Sequence, residues 1–206
     1  LAEKMVDNFA YLIDTIGFIP NGNRQYYMSR SQPPFFALMG NEISAGEPQK
    51  ALKYLSSLEK EYAYWMQDNK IVQVDGMILN RYFDTGSSPR PESHREDYEL
   101  AQDLSTQKEK EGLYSNLRTG AMSGWDYSSR WFADNQNLSS IEVVDILPVD
   151  LNCLLYSLEK TLSTTYNLKG DNAKGELYRQ KAEARKKAIQ AVFWNKNSQF
   201  FEDYHY

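Results

Sequence analysis

Residues 148–162 read Pro-Val-Asp-Leu-Asn-Cys-Leu-Leu-Tyr-Ser-Leu-Glu-Lys-Thr-Leu. Leu151, Leu154, Leu155, Leu158 and Leu162 recur at the three- and four-residue spacing of one buried helix face. Pro148 suits a first turn, Gly170 ends the pattern, and Asp171 is a good N-cap for a following helix that reaches Trp194. The stretch thus predicts two long helices joined by a short turn, an antiparallel helical hairpin. Working outward, residues 2–16 place Met5, Val6, Phe9, Leu12, Ile13 and Ile16 in helical phase, closing at Gly17. A second helix is predicted from Pro33-Pro34 to about Ala45. A third, with Pro48 in its first turn, carries Ala51, Leu52, Leu55, Tyr62, Trp65 and Met66 on one face. Residues 70–83 alternate with period two around Asp75-Gly76, a hairpin signal, and residues 195–206 do the same. Residues 94–119 are charged and intermittently helical. The helices are joined alternately by long polar excursions (18–34 and 68–147) and by short turns. With antiparallel neighbours, the long loops then emerge at one end of the helices. Two all-α layouts fit: a ring of helical hairpins with its site on one rim, or a plain helical bundle with decorated loops.

The 206 residues suffice for a sizeable core, and a net charge of −5 argues against a nucleic-acid or anionic-membrane partner. Lys181, Arg185, Lys186 and Lys187 alternate with Ala and Glu and read as a solvated helix face. Cys153 is the only cysteine, which rules out an intrachain disulfide and a cysteine metal site and leaves the compartment open. His94 and His205 are the only histidines and lack ligand spacing, so no metal is expected. No apolar run reaches spanning length, and the start carries no signal-like segment. Leu1 opens inside a helix and Tyr206 falls inside a strand-like run, so both ends read as cuts in a longer protein.

Three polar segments stand out. Residues 120–131, Gly-Ala-Met-Ser-Gly-Trp-Asp-Tyr-Ser-Ser-Arg-Trp, place Asp126 between two aromatic rings after a flexible Ser-Gly pair. A carboxyl group packed there is expected to be partly desolvated and to hold its proton, as a glycosidase general acid must. The competing reading is an aromatic corner in which Asp126 merely pairs with Arg130. The loop 18–34 carries Asn21, Arg30 and Gln32, whose mixed donors and acceptors suit a polyol. Alternatively these side chains satisfy the loop's own backbone, an explanation at least as good for Ser31. In Arg90-Pro91-Glu92 the proline restricts Arg90 to an extended conformation. The pair could hold sugar hydroxyls or set the protonation of Asp126, or be a surface ion pair contributing roughly 0–1 kcal/mol.

Taken together, these segments resemble the trehalases, hydrolases of α,α-trehalose. The resemblance runs through Ile19-Pro-Asn-Gly-Asn-Arg24, Tyr26-Tyr-Met-Ser-Arg-Ser-Gln-Pro-Pro-Phe-Phe-Ala-Leu38 and Glu61-Tyr-Ala-Tyr-Trp-Met66. It continues through Leu79-Asn-Arg-Tyr82, Pro89-Arg-Pro-Glu-Ser93, Ser123-Gly-Trp-Asp-Tyr-Ser-Ser-Arg-Trp131 and Pro148-Val-Asp-Leu-Asn152. The familiar catalytic segment has Phe in place of Tyr127, and some relatives have a small or acidic residue in place of Met122. The resemblance implies an all-α fold, part of a six-hairpin α/α toroid with short β-hairpin insertions. Residues 1–206 would be a single segment of the catalytic domain, incomplete at both ends. It further implies an inverting mechanism with Asp126 as general acid and Asn21, Arg30, Ser31, Gln32, Arg90, Pro91, Glu92 and Gly124 lining the pocket. The family's catalytic base and its arginine-containing glycine-rich signature would lie outside these residues, leaving the segment inactive alone. The implied partner is a small-molecule disaccharide, trehalose, with no cofactor, nucleic acid or membrane. The full-length protein is expected to be a periplasmic or secreted monomer, with the cytoplasm as the alternative compartment. A related toroid glycosidase on another α-glucoside, or a non-catalytic sugar-binding toroid, are the competing functions.

Overall fold

In the computed structural model, which describes residues 1–206, the leucine stripe forms helix α6 (Val149–Lys169) and its partner forms α7 (Asn172–Val192). Gly170 takes the left-handed conformation (φ 87°) that glycine adopts without a Cβ clash, closing α6. One residue later the Asp171 side chain accepts from the Lys174 N–H at 3.1 Å and starts α7. Leu151, Leu155, Leu158 and Leu162 are all fully buried. The other helices are α1 (Ala2–Ile16), α2 (Phe36–Ile43), α3 (Leu55–Trp65), α4 (His94–Leu100) and α5 (Gln107–Met122). The predicted third helix begins as a 3-10 segment over Pro48–Tyr54 and becomes α-helical only at Leu55. Strands β1 (Ile71–Val74) and β2 (Met77–Asn80) pair antiparallel through a turn in which Asp75 (φ 49°) and Gly76 (φ 76°) are both left-handed. A second short hairpin pairs Trp194–Asn195 with Phe200–Phe201. No helix is long and apolar enough to cross a membrane.

The chain forms two compact units. The first comprises Leu1–Ile19, Pro34–Asn80 and Pro148–Tyr204. In it α1 packs on α2 and α3, α3 packs on α6, and α6 runs against α7, with β2 also lying on α7. Its apolar core includes Ile13, Phe36, Leu58, Trp65, Leu79 and Phe193. A polar knot sits within that core. Arg185, expected on a solvated face, is only 4% exposed. It donates through Nε to Glu159 Oε1 (3.0 Å) and through Nη1 to Asn80 Oδ1 (2.9 Å) and Asn152 Oδ1 (3.1 Å). The Asn152 side chain also accepts from the Asn80 N–H (2.9 Å) and donates to the Asn80 carbonyl (2.9 Å). Alternation of Lys and Glu along α7 hid this because a single arginine of the cluster points inward, where a buried carboxylate compensates its charge.

The second unit comprises Pro20–Pro33, Arg81–Leu147 and His205–Tyr206. Its axis is α5, opened by a capping box: Thr106 Oγ1 accepts from the Glu109 N–H, and the Glu109 carboxylate accepts from the Thr106 N–H. Leu113, Leu117, Ala121 and Met122 of α5 are buried, as are Trp131, Ile141, Val143 and Leu147 of the same unit. The helix runs three residues past the charged stretch read from sequence. Its Gly120 leaves room for the Tyr127 ring, which a Cβ would meet at 2.8 Å.

Candidate active site

All nine residues singled out in the sequence fall in the second unit, on three loops that contact one another. The first loop is closed on itself by the Asn21 N–H donating to the Arg30 carbonyl (2.8 Å) and by an antiparallel bridge between Pro20 and Ser31. Asn21 Nδ2 donates to the carbonyl of Ala121 (2.9 Å), tying the loop to the end of α5. Gln32 Nε2 donates to the Asn21 carbonyl (3.2 Å), so both amide groups use a donor on backbone and keep their side-chain oxygens for other partners.

Arg30 is wholly buried. Its Nη2 lies 2.7 Å from Glu92 Oε1 and its Nε 3.8 Å from Asp84 Oδ2, while its guanidinium covers the Tyr27 ring at 5.3 Å. None of its three nitrogens makes a well-directed hydrogen bond, and neither does the buried Oγ of Ser31 beside it. Buried donors left in that state are costly and uncommon. Asp84, also wholly buried, is the hub beneath. It accepts from the Gly86 N–H (2.8 Å), Ser29 Oγ (3.1 Å) and Arg118 Nε (3.0 Å). Gly86 leaves room for the Arg118 guanidinium, which would have to shift to admit a Cβ.

The second loop departs from the expected Arg90–Glu92 pair. Arg90 is extended (φ −65°, ψ 131°), as the following proline demands, and Pro91 then opens a 3-10 turn over Pro91–Ser93. The turn separates the two side chains, and each finds another partner. Glu92 goes to Arg30. Arg90 goes to Asp97, with its backbone N–H at 2.8 Å, Nε at 3.0 Å and Nη2 at 2.6 Å from that carboxylate. Burial works against the Arg90 charge. The Asp97 hydrogen bonds and the nearby negative groups outweigh it and hold the pKa above its ordinary value. The guanidinium carbon also stands 5.2 Å from the centre of the Tyr127 ring.

The third loop is the segment around Asp126. Its Ser-Gly pair is pinned rather than flexible: Ser123 Oγ donates to the Gly120 carbonyl (2.6 Å) and accepts from the Trp125 N–H (3.0 Å). Gly124 has φ +73°, and a Cβ on it would lie 3.9 Å from Pro33 of the first loop. Tyr127 turns inward and donates its hydroxyl to the Leu117 carbonyl (2.7 Å), with burial pushing its pKa up. Trp125 turns outward and is 52% exposed. The two rings therefore do not sandwich Asp126, whose carboxylate is exposed and makes no hydrogen bond or ion pair. The packing between two rings expected from sequence does not occur, because Trp125 turns outward and Tyr127 inward. Arg130 lies over the Trp125 and Trp131 rings (5.1 and 4.3 Å).

Sequence reading missed Asp84, Asp97 and Arg118. Each lies away from the recognisable motifs, in a loop or a charged helix, and only the folded chain shows which motif arginine or serine it touches. The site thus offers forked donors whose charges are matched by carboxylates, Asp84 and Asp97 buried and Glu92 partly open to solvent, in the same unit as the exposed Asp126. That combination suits a neutral, hydroxyl-rich molecule. No cluster of three His, Cys, Asp or Glu side chains is placed to hold a metal ion.

Comparison with known proteins adds independent findings. The family model described as Trehalase matches residues 1–206. The periplasmic trehalase of Xanthomonas oryzae pv. oryzae is 48% identical over 217 residues, which cover 99% of this chain and 38% of that protein. The putative periplasmic trehalase of Salmonella typhi is 49% identical over 212 residues, covering 97% of this chain and 37% of that one. The chain therefore spans under two-fifths of the length of these curated relatives. Among solved structures, the neutral trehalase of Saccharomyces cerevisiae superposes with a TM-score of 0.79 at 24% identity, over 100% of this chain and 42% of that one. That likeness speaks for the fold alone and assigns the helical hairpins to an α/α toroid rather than a plain bundle.

Proposed function

Because the chain belongs to the trehalase family, we propose that it is a segment of the catalytic domain of an enzyme that hydrolyses α,α-trehalose with inversion. In this reading Asp126 gives its proton to the oxygen joining the two glucose units as that oxygen leaves the anomeric carbon. A second carboxylate, outside these residues, takes a proton from the water that attacks the opposite face. The water oxygen bonds to the anomeric carbon, and two glucose molecules result. Two such carboxyls roughly 6.5–9.5 Å apart leave room for the water. A sugar leaving group is a poor one, so protonation of its oxygen is what makes departure feasible.

One observation carries the reading: Arg30 and Ser31 present buried donors without well-directed partners, beside Glu92 and in the unit that holds the exposed Asp126. Sugar hydroxyls supply the missing acceptors. Arg90, Glu92 and the free side-chain oxygens of Asn21 and Gln32 complete the hydroxyl contacts, while Gly124 and Pro91 shape the wall. A disaccharide seated there covers Asp126 and excludes water from it. The names of the relatives favour an exported, periplasmic protein acting on the disaccharide trehalose.

The test is a side-by-side assay of the full-length protein on trehalose, maltose and kojibiose. Trehalose is expected to be hydrolysed with the highest kcat/KM. Preference for a reducing disaccharide would reassign the site to another α-glucoside, and binding of trehalose without turnover would make it a sugar-binding toroid.

A further inference from the structure

Helix α4 has a single buried residue, and it is an acid. Every residue of α4 from His94 to Leu100 is at least partly exposed except Asp97, which is 2% exposed. Apolar packing therefore does not explain why this side chain is inside. All three hydrogen bonds recorded to the Asp97 carboxylate come from Arg90: its backbone N–H (2.8 Å), Nε (3.0 Å) and Nη2 (2.6 Å). That grip occupies one edge of the guanidinium. A guanidinium carries five N–H donors, so Nη1 and the second Nη2 proton remain for something else. Its face is held over the Tyr127 ring at 5.2 Å, and the Tyr127 hydroxyl is itself tied to the Leu117 carbonyl (2.7 Å).

We propose that Asp97 is the positioning residue of Arg90: it fixes the free edge of the guanidinium for sugar hydroxyls and matches its charge, so that the site admits a neutral sugar and rejects a phosphorylated one. The proposal rests on the reading of the site as a sugar pocket. An arginine with no carboxylate of its own binds phosphate in the same forked geometry that it uses for carboxylates. Here the fork is already filled. The pattern repeats across the site, with Arg30 against Glu92 at 2.7 Å and Arg118 against Asp84 at 3.0 Å, so each of these guanidiniums has a carboxylate of its own. The charged and titratable groups that face Arg90 are Asp97, Glu92 and Tyr127, with Asp126 adjoining Tyr127.

The experiment uses the full-length protein and its Asp97→Asn variant, with glucose and glucose 6-phosphate as calorimetric probes and trehalose as the kinetic substrate. The wild type is expected to bind glucose more tightly than glucose 6-phosphate. Asp97→Asn is expected to shift that preference towards the phosphate by roughly tenfold or more, and to raise KM for trehalose by a similar factor with a smaller change in kcat. In an Arg90→Gln background the same substitution should have no further effect on either quantity. An unchanged probe ratio, or an equal loss in both backgrounds, would overturn the proposal in favour of a purely structural acid. Should Asp97→Asn not fold, Asp97→Glu keeps the charge on a longer arm. It is expected to raise KM while leaving the probe ratio alone, and an unchanged KM would count against positioning. A wild type that binds glucose but does not hydrolyse trehalose would sink the trehalase reading, while the probe ratio would still judge Asp97.

Discussion

Arg30 has no exposed surface, yet none of its nitrogens is properly bonded, and the adjoining Ser31 is in the same condition. Arg30 has the Glu92 carboxylate 2.7 Å from its Nη2 but no well-directed hydrogen bond, and in the proposed reading a ligand's hydroxyls complete both side chains. The sequence pointed to Arg30 for its type and setting, but Ser31 looked equally suited to bonding its own loop; burial without a partner is what separates the cases. Glu61, in the first unit, is a different sort of buried polar group. It is 2% exposed, its Oε2 has no hydrogen bond, and burial pushes its carboxyl from the ordinary 4.5 up to about 8. Between those two values the folded chain keeps the proton and the unfolded chain has lost it. Stability therefore falls as pH rises through that window and levels off above it. Glu61→Gln should remove this slope and leave the variant more stable than the wild type at pH 8, as measured by urea unfolding at several pH values. A variant that retains the wild-type slope would show that another group titrates.

At the scale of elements, most of what was legible came from periodicity and punctuation. The Leu151 to Leu162 stripe, the Gly170-Asp171 turn and the Asp75-Gly76 hairpin all appear where their residue types require. Boundaries that depend on tertiary contact were less visible: α5 runs on through Gly120–Met122 because Gly120 makes room for Tyr127, which no local pattern announces. Arg185 shows the limit most clearly. Its neighbours on α7 read as a solvated face, yet it joins α7 to Glu159 and Asn152 of α6 and to Asn80 of β2. Asn80 and Asn152, in motifs that resemble the trehalases, thus hold the core of the first unit together. Arg185→Met is expected to leave Glu159 buried without its cation and to destabilise the fold by about 3–5 kcal/mol. Equilibrium urea unfolding measures this, and a loss below roughly 1 kcal/mol would mean the knot is dispensable.

For the whole molecule, the sequence-derived layout put the long polar loops together, and the structure gathers 20–33, 84–93 and 124–131 in one unit. The crossing of partners within that unit, Arg30 with Glu92 and Arg90 with Asp97, was beyond reach because it depends on how a 3-10 turn redirects two adjacent side chains. The outward turn of Trp125, which leaves Asp126 exposed, was hidden for the same reason. A carboxyl in solvent needs the substrate to make it a useful acid, and the proposed role of Asp126 is to protonate a departing sugar. The measurement that addresses it is the hydrolysis of trehalose and of α-glucosyl fluoride by full-length Asp126→Asn. Fluoride departs without needing a proton, whereas glucose does not. The variant should lose trehalose turnover by roughly 10²–10⁴-fold and keep fluoride hydrolysis within about tenfold of wild type. Equal loss on both substrates, or trehalose turnover near the wild-type rate, would contradict the assignment of Asp126 as the acid.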